Sequence, residues 1–206
     1  MALDFPEEII LKKNRKIIDG ALKTKAHLQI KQFSLDEDFK SNSSCIKCLL
    51  NFRYKRSKNI KISSKGNGVI DALFSAILKQ FSNDYVSLQN VKLYDFLVYV
   101  DIKKSLRTTQ TDAPVEIKIV LEGMTQNKIY FKAESNSLVK AGIKAVCNAV
   151  EYLINAELAV IQLHKDIMYA RKRNRVDLEN IYTSQLHELI KFISYSQVID
   201  NLQKKN

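Results

Sequence analysis

Apolar residues recur at two different periods along this chain, and the changes of period mark its elements. From Phe5 to about Ala26 they stand at Ile9, Ile10, Ile17, Ile18, Ala21 and Leu22, with Pro6 in a first-turn position. That loose helical spacing predicts one helix, or two short ones. Ile46, Cys48, Leu50, Phe52 and Tyr54 then alternate with Lys47, Asn51 and Arg53. A two-residue repeat of this kind is a strand with one buried face. Ile60 and Ile62 continue it as a short second strand. After Lys65-Gly66-Asn67-Gly68 the period turns helical, with Val69, Leu73, Ala76, Ile77 and Phe81 gathered toward one side.

A second round follows. Phe96, Val98, Val100 and Ile102 alternate with Leu97, Tyr99 and Asp101; Val115, Ile117, Ile119 and Leu121 alternate with Glu116 and Lys118; Ile129, Phe131 and Ala133 alternate with Tyr130, Lys132 and Glu134. Three strands are implied. Asn136 and Ser137, good helix caps, lead into Leu138, Ala141, Ala145, Val146, Ala149, Val150, Leu153 and Ile154 at helical spacing. With a strand near Ile30 to Asp36 added, the chain reads strand-strand-strand-helix twice over, an α+β architecture with an internal repeat. The polar stretch Lys104 to Pro114 has no period and is expected to be a mobile loop.

Past Ala156 there is neither Gly nor Pro, so the helix is expected to run on through Leu158, Ile161, Leu163 and Met168 toward Arg171. A second helix is expected over Leu178, Ile181, Tyr182, Leu186, Leu189, Ile190 and Ile193. Its apolar stripe must pack on the first helix or on another subunit, as a hairpin or a dimerisation arm. Three segments follow: a helical lead-in over 1–28, a central domain over 29–156 and a helical extension over 157–206.

Composition narrows the class. The 206 residues are 46% hydrophobic with five Gly and two Pro, which favours long regular elements in an ordered globular chain. No apolar run approaches the roughly 20 residues needed to cross a bilayer, and the first residues carry acids where a signal peptide carries bases, so a cytoplasmic location without membrane contact is expected. Three cysteines do not suggest a disulfide framework. The net charge of +11 raises nucleic acid as a partner. No known reader motif accompanies the charge, and the basic residues are spread along the chain, which favours a solvated basic surface.

Gly66-Asn67-Gly68 between a strand and a helix is where backbone amides can approach a carboxylate or phosphate at the positive helix end. Glycine also serves such turns for geometry alone. Val91-Lys92-Leu93-Tyr94-Asp95-Phe96, Thr111-Asp112-Ala113 and Asn136-Ser137-Leu138-Val139-Lys140-Ala141 follow in order. Together the set resembles the carboxy-terminal regulatory domain of the isopropylmalate and citramalate synthases. That family shows Gly-Asn-Gly-Pro-x-x-Ala-Leu, Leu-x-Asp-Tyr, Thr-Asp-Ala and an Ile-Ile-Glu-Ala-Ser helix. The resemblance covers roughly Gln29 to Ala156. Here Val69 stands for the proline, Phe96 for the tyrosine and Gly142 for a small serine.

The resemblance implies two strand-strand-strand-helix units that form a homodimer and bind leucine or isoleucine between subunits, for feedback control of branched-chain amino acid biosynthesis. Carried over by position, Gly66, Asn67, Gly68 and Ala72 would hold the effector's carboxylate. Leu93, Phe96 and Val100 would line its side-chain pocket, Ala113 and Val115 would close it, and the turn from Asn136 to Val139 would be the matching second helix start. A catalytic synthase chain is the implied partner. The alternatives are a stand-alone sensor of a small amino acid or keto acid, a remnant without an effector, or a basic nucleic-acid module.

No catalytic residue, metal site or cofactor is assigned. The synthases carry a metal-binding His-x-His, whereas His27, His164 and His187 are widely spaced. Cys45-Ile46-Lys47-Cys48 has the spacing of a redox or half-zinc motif, but alternation puts its two thiols on opposite faces of a strand.

Overall fold

In the computed structural model, which describes residues 6–100, 114–123, 127–191 and 193–205, the alternating segments form two antiparallel three-stranded sheets. Helix α1 (Pro6–Ala21) leads into β1 (His27–Asp38), β2 (Ser43–Tyr54), β3 (Arg56–Gly66) and α2 (Val69–Phe81). The second round is β4 (Lys92–Val100), β5 (Val115–Glu122), β6 (Lys128–Ser135) and α3 (Leu138–Lys172). Helices α4 (Val176–Leu189) and α5 (Tyr195–Lys205) complete the chain. The α+β architecture of two strand-strand-strand-helix units is therefore present, with strand orders β1-β2-β3 and β4-β5-β6. The loop expected over Lys104 to Pro114 falls, but for Pro114, outside the described residues.

Strand lengths exceed what the apolar alternation alone marks, because polar residues extend the ladders. Ile60 and Ile62 lie inside an eleven-residue β3 paired along its length with β2, from Tyr54 opposite Arg56 to Ser44 opposite Gly66. Lys55 alone joins the two strands and sits at φ 58, in the left-handed region. Asn42, at φ 48, turns β1 into β2, where the Asp38 carboxylate accepts from the Lys40 amide and the Ser41 hydroxyl.

The inward rows of both sheets and the helices over them share one core. Ile46, Cys48 and Leu50 of β2, Ile117, Ile119 and Leu121 of β5, and Phe131 of β6 are buried with Leu73 and Ile77 of α2 and a long run of α3. By length and hydropathy α3 is apolar enough to cross a membrane, yet 72% of its most apolar stretch is buried inside this fold. A helix that is apolar on most sides is the expected centre of such a core.

Polar side chains of α3 tie down the segments that enter each round. Asn155 accepts from the Ala26 amide at 2.7 Å and donates to the Ala26 carbonyl at 2.9 Å. Glu151 accepts from the Leu28 amide, and Glu157, itself buried, accepts from the Ser87 amide in the 3-10 turn Val86–Leu88 before β4. These bonds satisfy backbone groups that no sheet partner reaches.

Helix α3 runs without a break through position 156 and ends at Lys172, with Arg173 as its C-cap. The Asn174 amide donates to the Arg171 carbonyl, the Arg175 amide to the Ala170 carbonyl, and Asn174 adopts φ 53. This is the Schellman arrangement with asparagine in the place glycine usually takes. The extension then folds back as a hairpin, with Leu186, Leu189, Ile193 and Val198 entering the same core. Two differences from the sequence expectation appear. Ile181 is 52% exposed rather than part of the packed stripe, and a break after Leu189 creates α5 as a separate helix.

Candidate functional site

The strand-to-helix turn after β3 is built on two glycines with different duties. A Cβ at Gly66 would meet the Ala72 amide nitrogen and the Asp71 Oδ2 at 2.6 Å each, so only glycine lets the strand end approach the first turn of α2 so closely. Gly68 has open space within 4 Å of the same test position, and its backbone is extended. Gly68 is the N-cap of α2 and offers no side chain to accept the first-turn amides. Asp71 reaches back instead to the Asn67 amide at 3.2 Å. The α2 start thus has no N-cap side chain and open space at Gly68, while the Asp71 carboxylate of the same first turn is held back on the Asn67 amide. By contrast, the α3 start is closed: Ser137 accepts from the Lys140 amide.

Strand β4 supplies the apolar component. Register slips by one residue between Leu93 and Asp95, so Leu93 pairs with Leu121 while Phe96, Val98 and Val100 pair with Ile119, Ile117 and Val115. The bulge puts Leu93, Phe96, Val98 and Val100 on the same face, the inward face that also carries Ile117 and Ile119. On that face Ile117 and Ile119 are at most 1% exposed, whereas Phe96 is 48%, Val98 41% and Val100 51% exposed. The helix layer covers β5 and stops short of β4.

The two components meet over β5. A Cβ at Gly142, in the second turn of α3, would overlap the Cδ1 of Ile70 in the first turn of α2 and would lie 3.5 Å from the Cδ1 of Ile117. Ile117 is paired with Val98. The two helix starts therefore stand over β5, one strand from the open face of β4, a spacing of about 4.8 Å.

Of the residues singled out in the sequence, Gly66, Asn67, Gly68 and Ala72 form the α2 start, with Ala72 fully buried and its amide bonded to the Gly68 carbonyl. Leu93, Phe96, Val100 and Val115 share the inward face of the second sheet. Asn136 and Val139 flank the capped start of α3. Ala113 lies outside the described residues. Val98, Ile70 and Asp71 belong to the same region and were not singled out. Val98 could have been found from its alternation with Phe96 and Val100.

The three cysteines are free thiols. Cys45 and Cys48 face opposite sides of β2, and burial pushes the Cys48 thiol up to about 11 and the Cys147 thiol to about 12. Among the described residues, no group of three His, Cys, Asp or Glu side chains is placed to hold a metal ion.

A family model described as the LeuA allosteric (dimerisation) domain matches residues 12–154 of the 206. No curated protein sequence matches the chain.

Proposed function

Because the chain belongs to the LeuA allosteric (dimerisation) domain family, we propose that it is a dimeric regulatory module that binds a branched-chain amino acid, leucine or isoleucine. The observation that carries this reading is the uncapped α2 start standing one strand away from the open apolar face of β4. A free amino acid needs charge-assisted contacts for its ionic ends and a dry surface for its branch. The amides after Gly68 supply the first and Leu93, Phe96, Val98 and Val100 the second.

An apolar sheet face of this kind is unfavourable in water and calls for a cover. In the proposed assembly the cover is a second copy, and the effector is enclosed between subunits where Phe96 and Val100 are buried on dimerisation. Binding then changes the dimer, and through it a catalytic synthase chain whose product pathway ends in the effector. Calorimetry with leucine and isoleucine on the wild-type chain and on site variants tests the proposal.

A further inference from the structure

The outer face of the first sheet carries a cleft that the reading above does not use. Its volume is about 470 Å³ and its lining takes three consecutive residues from each strand: Gln32 to Ser34, Lys47 to Leu49 and Lys61 to Ser63. In register, Gln32, Leu49 and Lys61 form one row across the sheet, and Ser34, Lys47 and Ser63 form the next. These rows point away from the core, since Cys48 and Ile62 between them are buried on the other side. No residue of α2 or α3 lines the cleft. It is a trough across three strands, walled by two rows of side chains about 6.6 Å apart.

The walls carry a net positive charge: Lys61 and Lys65 of β3 and Asp36 of β1 are the diagonal neighbours of Lys47 on the same face, and Asp36 forms no ion pair with it. Lys47 and Lys61 are diagonal neighbours on one face, both exposed, and neither has a carboxylate partner among the described residues. Two ammonium groups so placed repel each other, and an anion between them relieves the repulsion. Ser34 donates to the Lys47 carbonyl at 3.2 Å, whereas the Ser63 hydroxyl keeps its proton for a ligand. Leu49, half-buried, gives an apolar floor beside Lys61.

We propose that this trough binds a small phosphate-bearing organic molecule, its phosphate held by Lys47, Lys61 and Ser63 and its organic part over Leu49. Lysine ammonium groups act on phosphate as point charges, and two of them beside a hydroxyl donor match a phosphate monoester of charge about −2 better than a single carboxylate. The volume lies in the range of about 300–1,000 Å³ typical of small-molecule sites and exceeds the need of inorganic phosphate alone. The trough has no aromatic side chain on its outward rows, which argues against single-stranded nucleic acid, whose bases stack on such rings.

The test is calorimetry of the full chain with adenosine monophosphate, ribose 5-phosphate and succinate, beside Lys47→Gln, Lys61→Gln, Ser63→Ala and Lys172→Gln. All four positions are exposed, so the variants keep the fold, and circular dichroism checks that they do. The expected result is binding of at least one phosphate compound, weakened about tenfold by either trough lysine change and little affected by Lys172→Gln. Three results overturn the proposal: no phosphate compound binds at millimolar concentration, succinate binds as well as the phosphates, or all lysine variants weaken binding equally. A single-stranded oligonucleotide that binds more tightly than the phosphates through Lys47 and Lys61 also overturns it.

Discussion

Gly142 of α3 and Ile70 of α2 occupy one shared space: the Cδ1 of Ile70 fills the position a side chain at 142 would take. The glycine is thus matched to an isoleucine on the neighbouring helix. Gly142→Ala forces Ile70 off its rotamer in a buried site, beside Ile117. The expected cost is about 1–3 kcal/mol, and Ile70→Val, which removes the overlapping carbon, should recover most of it in the double variant. Urea unfolding of the four proteins measures the coupling. Equal costs in the two backgrounds would show that the two side chains are independent.

Asn155 is the second buried contact with a definite expectation. Asn155→Ala leaves both the amide and the carbonyl of Ala26 without a partner in a buried position. A loss on the order of 3 kcal/mol follows. Asn155→Asp should do no better, since a carboxylate keeps the bond to the amide but faces the carbonyl with a second acceptor. Chemical denaturation of both variants decides it, and a loss confined to Asn155→Asp would contradict the clamp.

Much of the fold was legible because both rounds repeat the same alternation, and what escaped has identifiable causes. Strict alternation puts Leu93 opposite to Phe96 and Val100, since an odd and an even position cannot share a face. The bulge between Leu93 and Asp95 reverses that parity, and nothing in Leu93-Tyr94-Asp95-Phe96 marks it as a bulge. The run of α3 toward Arg171 was legible from the apolar spacing and the absence of Gly and Pro, and the helix ends at Lys172. The device that stops it was not, because it depends on Asn174 taking a left-handed conformation, which asparagine does far less often than glycine. The break before α5 carries no Gly or Pro, so the apolar spacing ran through it. Gly66 and Gly68 were legible as a pair, but only the packing against Ala72 separates the one the fold requires from the one that faces open space.

Alkaline stability should fall earlier than a chain with ordinary thiols and phenols would show. Burial raises Cys147 to about 12, Cys48 to about 11, and Tyr85 and Tyr152 to about 12, from ordinary values of 9.0 for cysteine and 10.0 for tyrosine. Folded-state values above the unfolded ones mean that the folded chain holds more protons in this window. Their stability contribution is complete below about pH 9 and is lost as pH rises toward about 12. Unfolding midpoints at about pH 8 and about pH 10.5 should differ more for the wild type than for a Cys48→Ala, Cys147→Ala variant. Identical slopes would contradict the thiol contribution.

The open face of β4 should set the oligomeric state. Val98→Lys places a charge in the middle of that face, opposite the buried Ile117 yet itself 41% exposed, so the protomer should tolerate it. Light scattering should give twice 23.7 kDa for the wild type and 23.7 kDa for the variant. A wild-type chain that stays at 23.7 kDa at all micromolar concentrations would remove the dimer from the account.

The most direct measurement is calorimetric titration of leucine and isoleucine into the wild type, Gly68→Asp and Phe96→Ala, with folding checked by circular dichroism. Gly68→Asp puts a carboxylate in the open space before the α2 start, where it repels the effector's own, and should abolish binding while leaving the fold intact. Phe96→Ala should weaken binding by about 2 kcal/mol, because it removes apolar surface and leaves the anion contact in place. The account predicts binding of one of the two amino acids by the wild type and this graded pair of losses. Failure of both amino acids to bind the dimeric wild type, or equal affinity in all three folded proteins, would contradict it.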